Sequence, residues 1–385
     1  MIHLLLAIIY ISFISLGLPD ALLGSAWPIM YQEFNVPVSY AGMISMIISF
    51  GTIIASLQSD RLTRKFGTGM VTAFSVAMTA LALFGFSTSS SFLSLCLWAI
   101  PYGLGAGGVD ASLNNYVALH YASRHMSWLH CMWGVGTSIG PYIMSYALTH
   151  TVWTDGYRTV SYIQIVIAAV LIFTLPLWKV NKSKEEAEAD KAILGIKGTL
   201  RIKGVLPMLF AFMAYCAAEA TAMHWTSSYM EGAKGATKDE AAALGALFFI
   251  GMTVGRFFAG FVSDRLGDRR MIYLGVAIAL CGIVGTAIPI KLVSTAGFIV
   301  LGLGCAPIYP CIIHSIPDKF GAENSQAIIG MHMAGAYVGA TFMPPLFGLL
   351  ANYISIKLMP MYLLLFMLMM ILLLTRADRI TKNSK

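Results

Sequence analysis

The chain has 385 residues, 58% of them hydrophobic and 11% charged, with a mean hydropathy of +0.75. A soluble domain carries about 25% charged residues, so composition excludes a soluble globular protein and indicates an integral membrane protein. The net charge of +7 does not indicate nucleic acid, because Lys and Arg fall in short segments between apolar runs and not in a basic stripe with interleaved aromatics.

Runs long enough to cross a hydrocarbon core of about 30 Å, roughly twenty residues each, cover 4–30, 38–58, 68–89, 92–119, 126–149 and 157–178, then 205–230, 239–262, 271–290, 292–316, 324–352 and 354–375. This predicts an all-α membrane fold of twelve helices. An N-terminal six-helix bundle spans 1–178, a Lys- and Glu-rich cytoplasmic linker spans 179–203, and a C-terminal bundle spans 204–385. The first run reads as a retained span and not a signal peptide: no Lys or Arg precedes it, it is too long for an h-region, and it contains Asp20. With both termini cytoplasmic, the non-cytoplasmic side holds only Arg158, Lys234, Lys238, Lys291 and Lys357. The positive-inside rule therefore sets the orientation, and a bacterial inner membrane is the expected location. The six cysteines lie in apolar runs without a CxxC pair or metal spacing, so no disulfide, metal or other cofactor is expected.

The second and eighth runs repeat each other. Laid 204 residues apart, GTIIASLQSDRL (Gly51 to Leu62) and GRFFAGFVSDRL (Gly255 to Leu266) share Gly, Ala, Ser, Asp, Arg and Leu. Gly103-Leu-Gly in the fourth run likewise matches Gly302-Leu-Gly in the tenth. Two parallel halves with a midplane substrate site are a known plan of secondary transporters. Asp60 and Arg61, and their counterparts Asp264 and Arg265, are the expected gate residues, since a carboxylate at a helix end can pair with an Arg or a neighbouring helix N-terminus. Arg256, eight residues before Asp264 on nearly the same face, is assigned to the same gate.

Three acids lie deep in apolar runs: Asp20, Asp110 and Glu219. A charge at the centre of an isolated span costs about 2.5 to 3.5 kcal/mol, and such residues face a bundle interior and mark ion or proton paths. No Lys or Arg shares the depth of Asp20 or Asp110, so no ion pair neutralises them. All three are candidates for proton coupling, with a fixed interhelical hydrogen bond as the structural alternative; Glu219 is also a candidate substrate ligand. Sodium coupling stays open, because carboxylates suit hard cations. In GLGAGGVDASLNNYV, Gly103, Gly107, Asp110 and Asn114 share one helix face. Gly136, Gly140, Pro141, Pro307, Pro310, Gly339, Pro344 and Pro345 supply bends, for gating or for kinked packing alone.

The segment GFVSDRLGDRR (Gly260 to Arg270) and its degraded copy SLQSDRLTRKFG resemble the signature of the major facilitator superfamily. Within it the chain most resembles the fucose permease-like sugar/proton symporters, over nearly its whole length. The stretches LGLGCAPIYPCIIHSIPDKFG, SQAIIG and PPLFG are similar to that family's tenth and eleventh helices, and the pair Glu219 and Trp225 in AYCAAEATAMHW is similar to its bacterial members. The resemblance implies that Asp20 and Asp110 serve proton coupling, with Asn114 one turn after the second. The chain departs from it where Trp133 replaces an Asn before Gly134 and Gly136, and where LGLP precedes the first acid. The resemblance implies a sugar or polyol as substrate class, and these departures disfavour fucose itself.

Sugar recognition uses aromatic faces on C–H groups and amides, carboxylates and imidazoles on hydroxyls. Trp27, Asn114, His130, Trp133, Glu219, Trp225, Tyr309 and His332 suit those roles; Trp27, seven residues after Asp20, falls on its face of a continuous helix. A Trp near a span end is also an interfacial anchor, and a His an interhelical bonder. The expectation is a monomeric, proton-driven symporter of a monosaccharide or polyol, with protons, the small solute and the bilayer as its partners. Proton antiport of an amphiphile is the alternative. A membrane enzyme is disfavoured by the lack of HExxH, GxSxG or a comparable constellation, and a receptor by the lack of a sizeable soluble segment.

Overall fold

The computed structural model describes residues 2–178 and 194–382, which form helices and turns with no strand. Spans one to twelve, in chain order, are Ile2–Gly17 continued by Leu22–Glu33, Ala41–Phe66, Thr68–Ser87, Phe92–His120, Ser123–His150, Trp153–Phe173, Val205–Lys234, Lys238–Leu266, Asp268–Ala287, Lys291–Cys305 continued by Ile308–His314, Ala322–Leu350 and Met359–Lys382. Ten helical runs among the described residues pass a length and hydropathy threshold for crossing a membrane; the last, Ala322–Lys382, contains the eleventh and twelfth spans. The fifth span, diluted by His and Ser, has the length of a crossing helix at 28 residues. In lipid every backbone N–H and C=O must be paired within the segment, which is why apolar runs of this length become helices.

Many large apolar side chains point outward: Phe74, Phe173, Phe258, Leu292 and Leu372 are all exposed. In water this would be an aggregating surface, whereas acyl chains accept it without cost.

The chain divides into two compact units. One holds the described residues up to Tyr116 and those from Met132 to 178; the other holds Val117–Cys131 and the described residues from Leu194 onward. The first unit is centred on Leu22, Trp27, Met30, Phe86, Tyr102 and Tyr157, which are all buried in one cluster. Residues 179–193 of the expected linker lie outside the described residues; after them Gly195–Arg201 forms a short helix.

The repeat seen in sequence is a repeat of backbone. The second span ends at Gly67 (φ +80°) and the eighth at Gly267 (φ +76°), each donating its amide 2.8 Å to the carbonyl four residues back. Both glycines hold a positive φ that a side chain would strain, and the next helix begins at the following residue.

Two spans expected to be continuous are broken. The first stops at Gly17, turns through residues 18–21 and restarts at Leu22; the tenth breaks at Ala306 and Pro307. Pro19 and Pro307 carry no amide to return to the preceding turn, so the helical ladder cannot run through them.

Candidate functional site

In the first unit the break in span one carries Asp20. Its amide bonds back only three residues, to Gly17, and its side chain is exposed. The Trp133 indole donates to Oδ2 at 2.8 Å and the Tyr102 hydroxyl to Oδ1 at 3.3 Å. Trp133 reaches the acid because spans one and five touch through backbone. A Cβ on Gly17 would lie 2.2 Å from the Trp133 carbonyl, one on Gly136 2.2 Å from that of Ile14, and one on Gly140 2.1 Å from that of Leu18. Asp20 thus rests on two neutral donors, and no ion pair to it is found among the described residues.

The second unit holds its acid differently. Glu219 is buried in the middle of the unbroken seventh span, and Arg256 of span eight donates to its Oε1 at 3.1 Å. The Tyr215 hydroxyl stands 2.9 Å from the same oxygen and 2.9 Å from the carbonyl of Cys305, the last residue before the break in span ten. One hydroxyl proton therefore faces two acceptors, and Tyr215 joins a charged pair to a helix end whose carbonyls lack intrahelical partners. Beside this pair lies an aromatic cluster: the Tyr309 ring is 4.7 Å from His130 and 4.7 Å from Phe212, with His332 5.8 Å from Phe212. His332 gives Nδ1 to the Ile328 carbonyl at 2.8 Å, and its Nε2 is buried without a hydrogen-bond partner among the described residues.

The structure brings some of the expected residues together and separates others. Asp110 and Asn114 are both buried, the amide bonding the acid's Oδ1 at 2.8 Å and its carbonyl at 2.9 Å. The Trp27 indole does not bond Asp20. The break between them resets the helical phase, and Trp27 is buried in the core with its indole on the Val38 carbonyl at 2.7 Å. Trp225 is likewise anchored, on the Pro344 carbonyl at 3.0 Å.

Arg256 corrects the expected gate. It is buried on Glu219 and not grouped with Asp264, because a carboxylate inside a low-dielectric bundle recruits a nearby guanidinium far more strongly than an exposed one at a helix end. Asp60 is buried and bonds Arg64 one turn on at 2.8 Å, while Arg61 and Arg265 are exposed. Asp264 accepts from the Arg124 amide at 3.0 Å and faces Arg124 Nε at 3.3 Å. Near it, the Ser123 hydroxyl bonds Asp268 at 2.5 Å, and His314 places Nδ1 2.7 Å from Asp268 and Nε2 3.0 Å from the Tyr121 carbonyl.

Sequence reasoning missed Tyr102, Tyr215, Arg124, Asp268 and His314. Tyr215 carried a signal, one helical turn before Glu219, and Asp268 lies within the segment GFVSDRLGDRR.

The family model of the Major Facilitator Superfamily matches residues 9–288 and 208–385. The chain is similar to Bypass of stop codon protein 6 of Saccharomyces cerevisiae, 23% identical over 399 residues, covering 91% of this chain and 78% of that one. It is 25% identical to the cis,cis-muconate transport protein of Acinetobacter baylyi, covering 85% and 82% respectively. In structure it is similar to FucP, the fucose:proton symporter of E. coli, with a TM-score of 0.74 at 15% identity, covering 96% of this chain and 98% of that one. Twelve spans, a backbone-level repeat and a family match over both halves lead to one conclusion: the chain belongs to the major facilitator superfamily, a multi-pass membrane transporter and not an enzyme.

Proposed function

We propose that the protein is a proton-coupled symporter of a monosaccharide or polyol, working by alternating access as a monomer in a bacterial inner membrane with both termini cytoplasmic. The observation that carries this reading is Asp20: an acid deep in a span, at a helix break, bonded to an indole and a phenol and to no cation among the described residues. Such a carboxylate can take and release a proton without stranding a partner charge, and the Trp133 ring beside it offers the face that sugar C–H groups pack on. Asp110, already satisfied by Asn114, and Glu219, matched by Arg256, serve as supporting members of the same coupled set.

The buried guanidinium of Arg256 favours a second reading, an organic anion as solute. The muconate transporter among the similar proteins supports including that class. Arg256 already spends its charge on Glu219, so the neutral solute is preferred.

The test is uptake into proteoliposomes of labelled hexoses, pentoses, polyols and aromatic or dicarboxylic acids, with and without an inward proton gradient, for wild type and Asp20→Asn. Gradient-driven accumulation of a sugar or polyol by wild type, lost in the variant while counterflow persists, supports the proposal. Accumulation of acids alone moves the function to the second reading. Accumulation that survives Asp20→Asn removes Asp20 from coupling.

A further inference from the structure

In a continuous helix the Ser15 carbonyl would accept from the amide of residue 19, and Pro19 has none. That carbonyl is not left bare in the bundle. Gln164 of span six donates Nε2 to it at 2.7 Å, and the Thr79 hydroxyl of span three stands 2.8 Å from Gln164 Oε1 and 2.8 Å from the Val76 carbonyl, one proton facing two acceptors. Gln164 is 1% exposed and Thr79 3%. The Ser15 carbonyl can only accept, which fixes the amide with Nε2 toward it and Oε1 toward Thr79. Beside it lies a cavity with room for about one water, lined by Ser12, Ser15, Pro19, Thr79, Tyr102 and Gln164. Tyr102 is also the titratable side chain bonded to Asp20. One polar cluster therefore supports the break from behind while its Tyr102 member holds the acid at the front.

We propose that Gln164 is the positioning residue for Asp20: it stands in for the missing Pro19 amide, holds the break in span one in shape, and so sets the acid against Trp133 and Tyr102. This rests on the reading of Asp20 as the proton-exchanging group. A polar side chain serving only to fill the interior would need neither the specific carbonyl nor the proline that frees it.

The experiment reads Asp20 directly and needs no solute. Infrared pH titration of the purified protein in lipid, with the carboxyl band assigned by its loss in Asp20→Asn, is compared for wild type, Gln164→Leu, Thr79→Val, Pro19→Ala and Pro19→Ala/Gln164→Leu. Gln164→Leu is expected to move the Asp20 midpoint by about one pH unit, a tenfold change in the protonation equilibrium. Thr79→Val should move it less and in the same direction. Pro19→Ala restores an amide, so adding Gln164→Leu to it should shift the midpoint far less than Gln164→Leu does alone.

A Gln164→Leu protein that melts earlier with the Asp20 midpoint unchanged would overturn the proposal and leave Gln164 a packing residue. An equal shift with and without Pro19→Ala would overturn it too. If Gln164→Leu does not fold, Thr79→Val decides: no movement of the midpoint counts against it. A wild-type spectrum with no Asp20 band that titrates would defeat the underlying reading of Asp20 instead.

Discussion

Each unit of this transporter keeps an acid deep in a span beside a broken helix, and the two do it in opposite ways. In the first unit the acid sits in the break itself, exposed and held by neutral donors. In the second the acid sits in an unbroken span, buried and matched by a guanidinium, and it is the neighbouring span that breaks. The difference teaches which group can change state cheaply. Removing or adding a proton at Asp20 disturbs two hydrogen bonds, whereas the same event at Glu219 leaves Arg256 without its counter-charge in a low-dielectric interior.

The largest effect expected from this contrast is at Arg256. Arg256→Met leaves Glu219 as an uncompensated buried charge and should destabilise the protein by about 3–5 kcal/mol, read as a fall in thermal stability in lipid nanodiscs. Adding Glu219→Gln should recover much of that loss; strictly additive single effects would dissolve the contrast between the units. Trp133→Phe comes next. It removes one bond to a carboxylate, worth about 1.5–3 kcal/mol, and should both lower the melting temperature and slow solute exchange by roughly tenfold or more. Unaltered exchange would mean that Asp20 does not depend on its indole.

Trp27→Phe sharpens the same picture from the other side. Losing the bond to the Val38 carbonyl should cost about 1 kcal/mol of stability and leave exchange untouched, because this indole serves the core. The smallest effect belongs to Arg124→Ala. Its contact with Asp264 is half-exposed, so the loss should be below about 1 kcal/mol and should vanish in high salt. A salt-insensitive loss of several kcal/mol there would show that the second unit draws its stability from that end and not from Glu219.

The twelve spans were legible because the bilayer dictates their length, and the repeat because Gly67 and Gly267 close equivalent helices. Asp20 announced itself as an acid where acids are expensive. Its surroundings did not. The break at Pro19 was not expected: the first span reads as one helix over 4–30, and Trp27 falls on the face of Asp20 only on that basis. The pairing of Glu219 with Arg256 joins residues 37 apart in sequence on adjacent spans, and helix rotation decides it. Gln164 is the one amide side chain in SYIQIVIAAV, a polar group that had to find a partner, but nothing in one sequence says which carbonyl would be waiting.

The contact of Gly17 with the fifth span, and of Gly136 and Gly140 with the first, has a consequence for how this sequence can drift. Where helices meet through side chains, a change on one surface can be absorbed by a rotamer on the other. Here backbone lies on backbone, and even one methyl group would push a carbonyl away from a site at 2.1 to 2.2 Å. The distance from indole to carboxylate is thus a property of the main chain. In a library of all single substitutions selected for transport, these three positions should reject alanine, while Met and Leu positions of the lipid-facing surface exchange freely.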